Sequence, residues 1–162
     1  MTSIPASVAA LPELQVPAGT CLIVKGVPMG RVYILKEGAF MVERDGVRVV
    51  SITDPGAFMG EMSALLGTPP SADVVATQDS VVHVLENGTE AVRGDPELLY
   101  AIAQLLARRL QGITAYLVDI KRQYADTNTH LALMDTVLAE LMSMPQAAST
   151  PAGSERSDVP DY

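Results

Sequence analysis

The chain has 162 residues, of which 48% are apolar and 4% aromatic, and it carries a formal net charge of −8. Nucleic acids and anionic membrane surfaces are bound through clustered Lys and Arg, so 11 basic against 19 acidic residues argue against both as partners. No apolar run reaches the roughly 20 residues of a membrane span, and no secretory signal is visible. The single cysteine excludes an intrachain disulfide. Composition therefore predicts a cytoplasmic protein with one small domain and an appended segment.

Short strands are predicted over residues 14–86, because turn-forming Gly, Pro and Asp recur there at close intervals. The clearest hairpin spans 39–52, where Asp45 and Gly46 suit a two-residue type I′ turn between β-rich runs. Further strands are predicted at 74–76 and 81–85. This spacing favours an all-β roll or barrel over alternating strands and helices.

A long helical segment is predicted over 95–144, with Asp95 as its N-cap and Pro96 at its first helical position. Apolar residues recur there at steps of three and four, from Leu99 to Leu141. This seam is longer than one small roll can cover, so we predict that part of it pairs with a second copy as a coiled coil. The polar run at 126–129 leaves open whether the segment is one helix or two.

Catalytic chemistry has few candidates in this sequence. His83 alternates with valines and is expected at the surface or edge of its strand, and His130 lies in the helical region. Neither has a second metal ligand at a suitable spacing. Cys21 stands in an apolar run and is expected to be a small buried hydrophobe. No Walker-type loop or Gly-x-Ser-x-Gly motif is present, so we predict no enzymatic activity, no metal and no cofactor.

The most informative stretch is 58–72, with the sequence FMGEMSALLGTPPSA. Gly60 opens a short helix, and the free N–H groups of such a start suit an anion. Glu61 beside it is placed to accept hydrogen bonds from ribose hydroxyls. Ser71 adds a hydroxyl and, with Ala72, further backbone N–H donors. Together these groups predict a cradle for a sugar and a phosphate.

A one-turn helix is predicted inside this stretch over 61–66, ending at Gly67. An equally simple interpretation makes it a plain connector, with Leu65 and Leu66 plugging the roll.

The stretch resembles the phosphate-binding cassette of the cyclic-nucleotide-binding domain family, in which Phe-x-Gly-Glu is followed by apolar residues and then by Pro-Arg-Ser/Thr-Ala. The resemblance covers about residues 14–125 and includes further matches at 24–26, 32–35, 37–38, 52–58, 95–97 and 106–110. It implies a mainly β fold with α: the family's jelly-roll-like β-roll, or double-stranded β-helix, with an inserted cassette helix and a long C-terminal helical segment.

The same resemblance implies cAMP or cGMP as the ligand. By position, Gly60 and Met62 would give backbone contacts and Glu61 would hold the ribose hydroxyl. Ser71 and Ala72 would contact the cyclic phosphate.

The sequence departs from the family pattern at Pro70, which stands where the family has arginine. Arginine gives phosphate a charge-assisted contact of about 1.5–3 kcal/mol, whereas proline offers neither charge nor N–H. Three other basic residues are candidates to replace it, namely Arg93, Arg108 and Arg109. Asp73 would oppose a phosphate if it pointed inward, although an alternating strand also allows it to face out.

The output also differs from that of the family's transcription factors, because no helix-turn-helix domain follows the helix. The predicted organisation is an N-terminal segment at 1–13, a β-roll at 14–94, helices for dimerisation at 95–144 and a disordered acidic tail at 145–162. The leading hypothesis is a regulatory module that senses cAMP or cGMP and signals through an unidentified protein partner. The alternative is a degenerate fold that binds no nucleotide and serves as a dimeric interaction scaffold.

Overall fold

The computed structural model describes residues 6–123 and 131–142. The strands in these ranges are β1 (Glu13–Val16), β2 (Cys21–Ile23), β3 (Val32–Glu37), β4 (Phe40–Arg44), β5 (Val47–Ile52), β6 (Phe58–Met59), β7 (Asp73–Ala76) and β8 (Ser80–Leu85). The helices are α1 (Ala6–Ala9), α2 (Glu61–Leu66), α3 (Gly88–Gly94), α4 (Pro96–Gln123) and α5 (Leu131–Met142). By its internal contacts the chain divides into two units, Met1–Arg109 and Leu110–Tyr162.

The strands form two four-stranded sheets, called here sheet A and sheet B. Sheet A has the order β1-β8-β3-β6, and sheet B has the order β2-β7-β4-β5, with every pairing antiparallel. The consecutive strands β7 and β8 lie in different sheets, so the chain crosses between layers at that turn. The predicted mainly β roll with an inserted helix and a long C-terminal helix is confirmed.

The hairpin of β4 and β5 has the predicted turn. Arg44 pairs with Val47, which leaves two residues in the loop. Asp45 and Gly46 have φ values of 54° and 78°, and a type I′ turn requires positive φ at both positions.

Two apolar clusters lie on opposite faces of sheet A. Along β3, Tyr33 and Leu35 belong to one cluster, and Val32 and Ile34 belong to the other. The first, called here the inter-sheet core, also contains the sheet B residues Ile23, Phe40, Val74 and Ala76. The second, called here the helix-side core, also contains Val8, Ala64, Val92, Leu98, Ala101 and Ile102 from the helices. Sheet A is therefore covered on both faces.

The helix α4 begins where the sequence predicts it. It starts at Pro96, and Asp95 caps it by accepting hydrogen bonds from the N–H groups of Glu97 at 3.0 Å and Leu98 at 3.1 Å. The polar run at 126–129 and the tail predicted at 145–162 lie outside the described residues.

Two predictions about burial are wrong. His83 is buried, at 8% exposure, because β8 lies between β1 and β3 and both faces of sheet A are covered. Its Nδ1 atom has no hydrogen-bond partner within the described residues. Cys21 is exposed, because it lies on β2 at the edge of sheet B, where its thiol contacts the carbonyl of Ile23 at 3.1 Å.

Candidate functional site

The predicted cassette folds as a strand, a glycine turn and one short helix. Gly60 links β6 to α2 with a φ of 88°, a left-handed conformation that favours glycine. A Cβ atom there would lie 3.1 Å from the carbonyl oxygen of Arg31 and 3.3 Å from the terminal methyl carbon, Cε, of Met29. Gly67 ends the helix, also with positive φ, and donates its N–H to the carbonyl of Ser63 at 2.9 Å. Backbone geometry therefore favours glycine at both ends of the cassette helix, most strongly at Gly60, where a Cβ would also be crowded.

A cavity of about 330 Å³ lies against this segment. All five residues that the sequence analysis selected line it: Gly60, Glu61, Met62, Ser71 and Ala72. Its volume falls at the lower end of the range, roughly 300–1,000 Å³, that is typical of small-molecule sites. The fold thus brings the two halves of the cassette to one cavity.

The cassette helix does not plug the roll. Leu65 and Leu66 are 38% and 67% exposed, and neither lines the cavity. The buried apolar residue of α2 is Ala64, whose carbonyl accepts a hydrogen bond from the Thr89 hydroxyl at 3.0 Å. The connector interpretation, in which the two leucines fill the interior, is therefore wrong.

A buried carboxylate and an arginine meet at the cavity wall. The Arg109 guanidinium donates through Nη1 to Glu61 Oε1 and lies with Nη2 3.5 Å from the carbonyl oxygen of Phe58. Glu61 is only 3% exposed, whereas the Arg109 side chain is 40% exposed. Because an unpaired buried carboxylate is costly, this ion pair helps to hold Glu61 at the cavity.

The sequence suggested Arg109 as one of three candidates to replace the family arginine at the phosphate. The structure pairs it with Glu61, 48 positions away in the chain, a contact that only the packing of α4 against the cassette creates. The other two candidates, Arg93 and Arg108, do not line the cavity.

Pro70 and Asp73 occupy different positions relative to the cavity. Pro70 lines it, and its carbonyl accepts the N–H of Gly26 at 2.8 Å. Asp73 does not line it, and its carboxylate accepts the backbone N–H of Lys25 at 2.7 Å. The cavity wall therefore has proline at the position where the family has arginine, and Asp73 adds no carboxylate to that wall.

Within residues 6–123 and 131–142 there is no cluster of three or more His, Cys, Asp or Glu side chains suited to a metal ion. None of the helices described is both long and apolar enough to cross a bilayer.

Comparison with known proteins shows what this part of the chain resembles. Residues 13–89 match the family model described as the cyclic nucleotide-binding domain. The match covers just under half of the chain, and it assigns the β-roll and cassette to that domain family. The match ends at the first residues of α3, so it contains the β-roll and the whole cassette.

Relatives of this cyclic nucleotide-binding domain include regulatory proteins. A cAMP-dependent protein kinase regulatory subunit from Yarrowia lipolytica is 35% identical over 79 residues, which are 49% of this chain and 21% of that protein. The chain therefore spans about a fifth of the length of this curated relative.

Among solved structures, the catabolite activator protein of Thermus thermophilus shares the fold with a TM-score of 0.60 and 24% identity, covering 71% of this chain and 57% of that chain. The regulatory subunit of a cAMP-independent protein kinase A from Trypanosoma brucei gives a TM-score of 0.51 and 28% identity, covering 63% of this chain and 36% of that chain.

Proposed function

We propose that this chain is a non-catalytic regulatory module that binds a nucleoside-type ligand, cAMP and cGMP included, in the cassette cavity and signals to a protein partner. The observation that carries this proposal is the open cavity that all five cassette residues line. A scaffold without a ligand has no need of this space, whereas a sensor requires it.

Each cassette residue has a role in the proposed site. Glu61 accepts hydrogen bonds from ribose hydroxyls, for which a buried carboxylate is well suited. Gly60 and Met62 offer backbone groups at the start of α2. Ser71 and Ala72, which line the cavity, would contact the phosphate of a cyclic nucleotide.

The contact between Glu61 and Arg109 supports a route for the signal. Arg109 belongs to α4, so a ligand that bonds to Glu61 acts on a group already paired with that helix. Binding of a ligand to Glu61 would therefore alter the ion pair between Glu61 and Arg109, and through Arg109 it would act on α4.

The second candidate is the scaffold that binds no nucleotide, and Pro70 is the observation that favours it. The Trypanosoma brucei relative belongs to a kinase described as cAMP-independent, so the fold also occurs where cAMP is not the activator.

Calorimetric titration with cAMP, cGMP, adenosine and guanosine separates the two candidates. We expect the unmodified protein to bind at least one of them, and Pro70→Arg to bind the cyclic nucleotides about ten- to a hundredfold more tightly through the restored phosphate contact. Pro69→Arg is the matched control, because Pro69 does not line the cavity. Failure of the unmodified protein to bind any of the four compounds would support the scaffold, and binding recovered in Pro70→Arg would then show a preserved cavity that has lost its ligand.

Self-association through the apolar seam of the helices is part of this proposal. Light scattering at micromolar concentration should give the mass of a dimer, and charged residues at Leu117 and Ile120 should dissociate it. Truncation after Pro145 should leave the mass per particle at two chains. A monomeric mass for the unmodified protein would rule the dimer out.

A further inference from the structure

The charges on the cavity wall indicate which ligand the site takes. The charged residues that line the cavity within the described part of the chain are Asp54, Glu61 and Arg109. The wall thus contains two carboxylates and one guanidinium, and that guanidinium is already paired with Glu61. We propose, building on the function proposed above, that the site selects an uncharged nucleoside over a cyclic nucleotide.

Glu61 can accept a nucleoside without giving up its arginine. Arg109 bonds to Oε1, and Oε2 makes no hydrogen bond to the described residues. A ribose carries neighbouring hydroxyls that donate hydrogen bonds, and a carboxylate oxygen is an acceptor only. A nucleoside hydroxyl therefore adds to the ion pair at Oε2 and needs no rearrangement.

A cyclic phosphate, in contrast, brings a further negative charge to a wall whose lining charges already sum to −1. Its one possible cationic partner in the lining is Arg109. If Arg109 moves to the phosphate, Glu61 is left as a buried carboxylate without its cation. If Arg109 stays, the phosphate has no arginine, because position 70 is proline.

Nearby cations are engaged away from the cavity. Lys25, on the loop that contacts Pro70, is paired with Asp45. Arg31, beside the Gly60 turn, is paired with Glu86. Neither side chain belongs to the cavity wall, so the compensation that a phosphate needs is not supplied from these neighbours.

The lining also suits an uncharged ligand, because most of it is apolar. It includes Ile23, Val42, Ile52, Met59, Val74 and Leu105. Apolar walls favour a nucleobase and the carbon face of a ribose, and they raise the cost of an uncompensated anion.

The test is competition between matched pairs: adenosine against cAMP and guanosine against cGMP, by calorimetry on the unmodified full chain. We expect at least one nucleoside to bind tenfold or more tightly than its cyclic nucleotide. Equal or tighter binding of both cyclic nucleotides overturns the proposed selectivity and leaves the regulatory site standing. No binding of any of the four to the unmodified chain overturns the regulatory site as well, whether or not Pro70→Arg binds them.

Two further measurements test the role of Glu61. Loss of one hydroxyl in 2′-deoxyadenosine should weaken binding about tenfold, as expected for a hydrogen bond to a charged group. Glu61→Gln should weaken adenosine and strengthen cAMP, because it removes a carboxylate and releases Arg109 for the phosphate. Glu97→Gln, which changes an exposed carboxylate outside the cavity, is the control.

A change that affects both ligands equally would show a merely structural role for Glu61 and contradict the proposal. Pro70→Arg tests the same selectivity if Glu61→Gln fails to fold, because it leaves the ion pair between Glu61 and Arg109 in place. This variant should bind cAMP more tightly than adenosine.

Discussion

Sheets A and B differ in how much of each is covered. Residues Val32–Leu35 of β3, in sheet A, are all buried, whereas β5 in sheet B has five exposed residues out of six. Sheet A packs between the inter-sheet core and the helix-side core. Sheet B has core on one side only, and the cavity lies against its strands and the cassette.

This difference separates stability from ligand binding. The interior strands of sheet A, β3 and β8, contribute no residue to the cavity wall. Strands of sheet B contribute several, among them Val42, Val50 and Val74. The interior strands of sheet A therefore act as the scaffold, whereas sheet B and the cassette, with its short edge strand β6, form the site.

The largest expected change in the free energy of unfolding comes from shortening a buried side chain of sheet A. Ile34→Ala removes a fully buried side chain from the helix-side core and should lower the free energy of unfolding by about 2–5 kcal/mol. Val49→Ala on β5, which is 60% exposed, should change it by no more than about 0.5 kcal/mol. Urea unfolding measures both. Similar losses in the two variants would mean that the sheets do not differ as their burial indicates.

The next effect concerns the cavity wall. Arg109→Met leaves Glu61 buried without its cation and should destabilise the protein by about 1–3 kcal/mol, less than a fully buried pair because Arg109 is 40% exposed. Arg122→Met, which removes an exposed pair with Asp119, should stay within about 0.5 kcal/mol. Thermal and urea unfolding measure the stability of both variants. A stability of Arg109→Met equal to that of the unmodified protein would show that the ion pair does not stabilise the site.

A smaller effect tests the link between the cassette helix and α3. Thr89→Val removes the 3.0 Å hydrogen bond to the carbonyl of Ala64 and should cost about 1 kcal/mol, because that carbonyl is partly buried. Thr77→Val removes a similar bond of 3.1 Å to Ala39, but an exposed one, and should cost less. The comparison is made by urea unfolding. The reverse order would contradict the view that the cassette is held from the helix side.

Local signals explain what the sequence predicts well. The Asp45-Gly46 turn, the cassette helix between Gly60 and Gly67, and the start of α4 at Pro96 each depend on residues with strong conformational preferences. The hairpin of β4 and β5 was equally readable, because its two-residue turn sets which residues pair beside it.

Contacts between distant segments are what sequence patterns miss. The burial of His83 depends on which strands flank β8, and the pairing of Arg109 with Glu61 depends on how α4 packs. The helix α3 was not predicted, since its start at Asn87-Gly88 has no side-chain cap and Gly88 opens it. The need for glycine at position 88 follows from a tertiary contact and not from the local sequence, because a Cβ there would lie 2.7 Å from Val32 Cγ2.

The smallest effect concerns the helix layer that covers sheet A and depends on pH. Hydrogen bonds from the Leu98 N–H first, and then from the Ser7 hydroxyl, lower the pKa of Asp95 below its usual value. A carboxyl whose pKa is lowered by folding stabilises the folded state above its unfolded pKa, near 4, and loses that contribution as pH falls through the folded pKa. Asp95→Ala should therefore lower the melting temperature at pH 7, and the difference from the unmodified protein should shrink as the pH falls below about 4. Glu97→Gln, which keeps the cap, is the control for the loss of one charge. A difference that is constant with pH would mean that Asp95 acts by helix propensity alone, and that the cover over sheet A does not depend on the charge of its cap.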